Sequence, residues 1–203
     1  HRCQKDGVKI VMNCEVTPEL IKEEKPDSVI IATGSKTLIL PIEGIDNPAI
    51  IHGSDLLDGK RAAGKKVLVV GGGMVGCETA AFLGEQEHDV TVIEFRDTVG
   101  ADVIHEHRVY LMKDFEDYGI KEITGAKVCK FYEDGVEYET ADGVRHESRG
   151  YDSVILSMGF RNYNPLEEKI KDLVPETHVI GEAIRARRAL DATKEAYEVA
   201  SRI

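Results

Sequence analysis

The residues of this 203-residue chain best suited to chemistry begin at Gly71. Gly71, Gly72, Gly73, Met74, Val75 and Gly76 spell G-x-G-x-x-G. Four apolar residues, Val67 to Val70, precede the run, and a helical pattern follows it. Glu94 ends the next apolar run, Val90 to Ile93. It falls close to the ~20-residue interval at which a dinucleotide fingerprint places an acid after its glycines. Strand, glycine turn, helix and acid in that order suit a pyrophosphate joined to a ribose, so the pattern predicts an adenine dinucleotide, NAD above all. Gly71 permits the tight turn out of the strand. Gly73 removes a side chain where backbone must approach phosphate, and Gly76 lets the helix pack close to the sheet. The helix opening at Met74 and Val75 points unpaired N–H groups and its positive end at the phosphates. Glu94 is placed to accept hydrogen bonds from the adenosine ribose hydroxyls. Its charge repels a 2′-phosphate and favours NADH over NADPH. Arg96, two residues on, works against that preference, because an arginine there can hold the phosphate.

Other reactive side chains carry less. Cys3, Cys14, Cys77 and Cys129 form no C-x-x-C pair, and their spacing suits neither a zinc site nor a disulfide framework. They read as reduced cytosolic thiols. Cys77 falls in the first turn of the fingerprint helix, where the dipole can lower a thiol pKa, but a small packing residue is the plainer reading. His105 and His107 are two apart and point to different sides of a helix, which does not make a metal pair. Tyr110, Tyr118 and Tyr151 have no neighbouring pattern of catalytic acids. Glu23 and Glu24, between Lys22 and Lys25, read as a solvated helix face. No catalytic residue and no metal ligand are assigned.

The totals narrow the partners. A net charge of −11, from 37 acidic and 26 basic side chains, argues against nucleic acid and against anionic membrane surfaces. No apolar run approaches the ~20 residues of a membrane span, and no signal-peptide pattern opens the chain. A cytoplasmic location is expected. The chain starts His1-Arg2-Cys3 without a Met and reads as an excised piece.

The elements that must position the site follow from local pattern. Val8 to Met12 reads as a strand. Thr17 caps a helix with Pro18 at its first position, running to about Glu24. Ser28 to Thr33 is a continuous apolar strand of the kind buried on both faces, ended by Gly34. Residues 36–50, with two prolines, form a connection. Ser54 is expected to cap a short helix, and the polar stretch Gly59 to Lys66 to mark a boundary. The nucleotide module runs strand 67–70, helix 74–86 and strand 89–94, with a second helix over about 103–118. Asp134-Gly135 and Asp142-Gly143 predict a three-stranded antiparallel meander from Ala126 to Glu147. Ser153 to Ser157 is another buried strand. Residues 163–177 are a polar return, 178–180 a last strand, and a helix from about 189 to 202 finishes the chain.

In this order the residues resemble the two-dinucleotide-binding flavoprotein superfamily. The marks are Ala32-Thr33-Gly34-Ser35, the Gly71 to Gly76 run with Glu78 and Glu94, Ser157-Met158-Gly159, and Gly181-Glu182 before the last helix. Within it the chain is most similar to the C-terminal part of NADH:flavin oxidoreductases of the old yellow enzyme class, the 2-enoate and 2,4-dienoyl-CoA reductases. "PDSVIIATGS", "VLVVGGGMVGCETA" and "GFRN" carry that likeness. The resemblance implies an α/β fold: a Rossmann-like NAD(P)-binding domain, residues 63–162, with the meander. It would be inserted in a truncated FAD-binding domain, residues 1–62 with 163–203. It implies NADH and FAD as cofactors, with FMN and a 4Fe–4S cluster on an upstream barrel outside this sequence. Electrons would pass from NADH to FAD, then through the cluster to FMN and an enoate-type double bond.

Carried over residue by residue, the family pattern has Gly71, Gly73 and Gly76 cradle the pyrophosphate, with Gly72, Met74 and Val75 in the same loop. Glu94 holds the ribose, and Glu78 meets the nicotinamide side. Gly159 lets the nicotinamide end lie against backbone. Thr33 and Gly34 pass close to the FAD. Gly181 and Glu182 match a Gly-Asp pair whose acid binds the flavin ribityl chain. Glu182 is one methylene longer than that Asp and would need a shifted backbone. The family's FAD fingerprint is absent, so the chain alone is expected to lack turnover. It would also expose sheet edges and apolar surface that the rest of the protein, or a second copy, would cover. Two other readings stay open: an NAD-dependent dehydrogenase domain, and a non-catalytic nucleotide-binding or assembly module.

Overall fold

The computed structural model describes residues 2–203. In chain order, a single helical turn, α1 (Arg2–Lys5), is followed by α2 (Pro18–Glu24), β1 (Ser28–Ile31), β2 (Ser35–Thr37), β3 (Ile51–His52) and α3 (Gly53–Leu57). Then come β4 (Lys66–Val70), α4 (Met74–Glu85), β5 (Asp89–Ile93), α5 (His105–Asp117) and β6 (Lys121–Ile123). Strands β7 (Lys127–Tyr132), β8 (Gly135–Glu139) and β9 (Arg145–Ser148) precede β10 (Ser153–Leu156) and β11 (Phe160–Asn162). The chain ends with α6 (Glu167–Ile170), β12 (Glu176–Val179), a 3₁₀ turn at Gly181–Ala183 and α7 (Ala189–Ala200). It forms two compact units. One is Thr37–Phe160; the other joins the residues up to Lys36 with Arg161–Ile203.

The 37–160 unit is built on a five-stranded parallel sheet in the order β3-β10-β4-β5-β6. Its central strands β4, β5 and β10 are mostly apolar on successive residues because both faces are covered. Val67, Val69, Val90, Val92 and Ile155 pack with Leu83 of α4 and with Leu111 and Phe115 of α5. The alternate residues Leu68, Val70, Ile93, Val154 and Leu156 face Ala126, Phe131 and Val136, the last two from the antiparallel meander β7-β8-β9. The sheet is thus the middle of three layers. The meander lies where the two Asp-Gly pairs put it. Strands β3 and β6, two and three residues long, have no sequence signal of their own.

The other unit holds a two-stranded parallel sheet, β1 with β12, in register Ser28 to Glu176 through Ile31 to Val179. Its core is Ile21, Ile31, Leu166, Ile170, Val174 and Ala183. Thr17 caps α2 as expected: its Oγ1 accepts from the Leu20 N–H at 3.3 Å, and Pro18 opens the helix.

Several expectations are corrected here. Val8 to Met12 is not a strand; its apolar side chains are exposed, and β1 pairs with β12 alone. An apolar run becomes a strand only where a neighbour offers a ladder. β1 stops at Ile31 and is not buried on both faces, for Ile30 is 40% exposed. The return over 163–177 is not wholly polar, since α6 carries Ile170 between buried Leu166 and Val174. Ser54 does not cap α3; His52 stands at that position without a side-chain bond. The stretch before β4 lies within the Thr37–Phe160 unit, where Gly64 N–H donates to Ser153 Oγ at 2.9 Å and Lys66 N–H to Asp152 Oδ2 at 2.7 Å. Residues 37–62 group with the fingerprint unit, whereas the sequence reading groups them with the flanks, because β3 pairs with β10.

Candidate functional site

The carboxyl ends of β4, β5 and β10 meet at the glycine turn. Gly71 leaves β4 at φ +105° and donates its N–H to the Ile93 carbonyl at 2.9 Å. A Cβ on Gly76 would stand 1.8 Å from the Gly71 carbonyl oxygen, so α4 rests directly on the turn it follows. Gly73 occupies the N-cap of α4 and brings no side chain to its first turn, Met74 and Val75. That leaves a cradle with no side chain from the turn itself at the positive end of a 12-residue helix. Met74 N–H donates to Asp102 Oδ1 at 3.0 Å.

Glu94 sits at the lip of this cradle. Its Oε2 accepts from the Gly72 N–H at 2.6 Å and its Oε1 from the Arg96 N–H at 2.9 Å. Both oxygens are thereby fixed in place, and each keeps a further lone pair for a ligand hydroxyl. Arg96 is exposed, and Glu78 is half-buried on α4. Cys77 lies in the first turn of α4, but the dipole does not win there. Its side chain is 0% exposed, its Sγ donates to the Gly72 carbonyl at 3.3 Å, and burial pushes the thiol up to about 12. It is a packing residue.

Across the turn, β10 is followed by Ser157, Met158 and Gly159. Ser157 N–H donates to the Val70 carbonyl at 2.8 Å, and Gly159, at φ +97°, accepts from Leu38 N–H at 2.9 Å. Ser157 Oγ is buried and has no hydrogen-bond partner among the described residues, and it lines a small recess with Gly53, Ser54 and Val75. His52 Nδ1 is likewise buried and unpartnered among them. Asp102 and His52 escaped the sequence reading, which named Ser157 only as a family mark at the end of a strand. A buried hydroxyl in an apolar strand was a readable signal for Ser157; nothing in the pattern singled out the other two.

The remaining predicted site residues gather in the second unit. Thr33 Oγ1 donates to the Tyr163 carbonyl, and Tyr163 N–H returns a bond to the Gly34 carbonyl at 3.0 Å. Ser35 Oγ donates to Glu182 Oε2 at 2.6 Å, so the longer acid is held against the Thr33-Gly34-Ser35 corner. Gly181, at φ +63°, donates its N–H to Glu195 Oε2 at 2.7 Å. The Arg187 guanidinium, together with that N–H, holds the Glu195 carboxyl below the usual carboxylate range.

A helix seated on a glycine turn, with an acid fixed beside it at the end of the next parallel strand, defines a Rossmann-like dinucleotide fold. Comparison with known proteins makes this specific: residues 3–177 match the pyridine nucleotide-disulphide oxidoreductase model, and the chain belongs to that family. These are flavin-dependent NAD(P)H oxidoreductases that bind NADH and FAD. Cinnamate reductase of Clostridium sporogenes is 30% identical over 200 residues, 97% of this chain and 30% of its own length. NADH oxidase of Thermoanaerobacter brockii is 32% identical over 202 residues, 97% of this chain and 31% of its own. A solved 2-naphthoyl-CoA reductase, in complex with 2-naphthoyl-CoA, superposes on all of this chain with a TM-score of 0.90. It is 30% identical, and the chain covers 31% of it. The chain therefore spans about a third of the length of the proteins it resembles. No helix among the described residues is long and apolar enough to cross a membrane.

Proposed function

We propose that this chain is the NADH-binding, electron-input portion of a flavin-dependent oxidoreductase whose acceptor is an enoate-type double bond bound elsewhere in the whole protein. In this reading Thr37–Phe160 is the NAD-binding domain. The other unit is part of an FAD-binding domain into which it is inserted. The observation that carries the proposal is the glycine cradle at the N-terminus of α4 with the Glu94 carboxylate fixed at its lip, which fits a pyrophosphate and its adjoining ribose. Bound together, NADH and FAD supply the hydride chemistry.

The chain's own residues bind and orient. The first turn of α4 donates N–H groups to the phosphates. Glu94 accepts from the ribose hydroxyls and disfavours a 2′-phosphate at that place. Glu78 would meet the nicotinamide side, and Gly159, without a side chain, would let the nicotinamide end lie against backbone. Thr33, Gly34, Gly181 and Glu182 face the flavin, with Ser35 holding the Glu182 carboxylate. FMN and a 4Fe–4S cluster belong to the rest of the protein, and this chain by itself has no turnover. Relatives named for cinnamate and 2-naphthoyl-CoA support an unsaturated carboxylate, or its CoA thioester, as the acceptor. The NADH oxidase relative favours a second reading, in which dioxygen takes the electrons.

Calorimetric titration with NAD⁺ and NADP⁺ tests the binding role. NAD⁺ should bind, NADP⁺ more weakly, and Glu94→Ala should lose both the affinity and the preference. In the whole protein, anaerobic NADH consumption that starts only on addition of an enoate supports the first reading. Consumption that requires air, whatever enoate is present, supports the second.

A further inference from the structure

We propose that Asp102 is an internal competitor for the phosphate cradle of α4, a carboxylate that a dinucleotide must displace, and that it thereby sets the affinity of the site. This rests on the dinucleotide reading above. Two separate observations carry it. Asp102 Oδ1 accepts from the Met74 N–H, the first of the helix, at 3.0 Å. Asp102 also borders the space left by the missing side chain of Gly73: a Cβ there would meet Oδ2 at 3.3 Å, Oδ1 at 3.5 Å and Cγ at 3.8 Å, its three nearest neighbours. The carboxylate thus lies over the very backbone that the fingerprint leaves bare for a phosphate.

An anionic pyrophosphate and a carboxylate cannot share one N–H at hydrogen-bond distance without severe repulsion. The exchange requires only a side-chain rotation. The backbone on either side is pinned: Gly100 N–H donates to the Gly72 carbonyl at 2.7 Å, and Val99 and Val103 are buried. Asp102 itself is exposed and free to turn into solvent. Arg108, which bonds Thr98 Oγ1 and the Val99 carbonyl, holds the loop from the far side. The chain therefore stabilises its own helix terminus with a charge of the same sign as the ligand. Cofactor binding exchanges one anion for another.

A purely structural cap predicts the opposite result from a competitor, and this separates the two. Asp102→Ala removes cap and charge; Asp102→Asn keeps a good cap without the charge. NAD⁺ titration of the intact protein, alongside thermal melting, reads both. The expected result is that Asp102→Ala melts at a lower temperature yet binds NAD⁺ about fivefold more tightly, since a cap and its charge are worth ~1 kcal/mol. Asp102→Asn should keep the wild-type melting temperature and bind more tightly than wild type. Unchanged or weaker NAD⁺ binding in both variants, with the wild type binding normally, would overturn the inference and leave the dinucleotide reading standing. Failure of the wild type and both variants to bind NAD⁺ would overturn both.

Discussion

β4 and β1 have similar sequences and dissimilar fates. Val67-Leu68-Val69-Val70 and Val29-Ile30-Ile31 are both short apolar runs entering a glycine-bearing turn. In β4 every one of these residues is between 0% and 2% exposed, whereas Ile30 in β1 is 40% exposed. β4 has a parallel neighbour on each side, helices over one face and a meander over the other. β1 has one neighbour, β12, and a single small cluster beside it. An apolar run states a capacity for burial; the number of layers around it decides how much is used.

The contrast is sharpest for thiols. At pH 8 a thiol reagent should modify exposed Cys3 and Cys14 of the flank unit promptly. Cys77, with its pKa near 12, should be protected, its thiolate being on the order of one part in 10,000 at that pH. Mass spectrometry of partly labelled protein checks this; early labelling of Cys77 would mean that the glycine turn opens. The same shift has a stability consequence. Below about pH 9.0 the thiol is protonated in folded and unfolded chains alike. Between there and about 12 the unfolded chain ionises first, so stability falls as pH rises through that window.

Truncations set the two cores against each other. Leu68→Ala should cost about 3 kcal/mol by urea denaturation, as a fully buried leucine does, and Ile30→Ala less than about 1 kcal/mol. Equal costs would break the comparison. Two glycines divide in the same way. Gly76→Ala should cost about 2 kcal/mol and abolish NAD⁺ binding, because its Cβ would strike the Gly71 carbonyl. Gly34→Ala meets nothing within 4 Å and should cost about 1 kcal/mol, for its positive φ alone. The acids divide in turn. Glu94→Ala should lower melting, because the buried Gly72 N–H and the Arg96 N–H both lose their acceptor, and should weaken NAD⁺ about tenfold, the worth of one charge-assisted bond. Glu182→Ala should leave NAD⁺ binding untouched and reduce retention of FAD in the intact protein.

What the sequence revealed follows the same line. The fingerprint, the meander and β10 were legible because each carries strong local chemistry: glycines before a helix, Asp-Gly turns, and an unbroken apolar strand. Val8 to Met12 misled because a short apolar run says nothing about whether a partner strand lies alongside. The helical spacing of Leu166, Ile170 and Val174 was present but broken by charged neighbours, and so read as a polar return. Thr33, Gly34, Gly181 and Glu182 were named through family likeness. Their hydrogen-bonded grouping through Ser35 and Tyr163 depends on distant segments that no local pattern reports. Asp102 was invisible for the same reason: it stands 28 residues from the N–H it meets.

The alternation of side chains in the central sheet has a mechanical consequence. Val67 and Val69 serve the helical layer while Leu68 and Val70, one residue away on the same strand, serve the meander. Neither layer can peel away without leaving half of β4 bare, so the two should exchange amide protons as a single cooperative unit. The glycine turn is the end of that shared strand. Its geometry is therefore backed by the opening energy of the whole unit, which gives a loop of small residues the stiffness of a core.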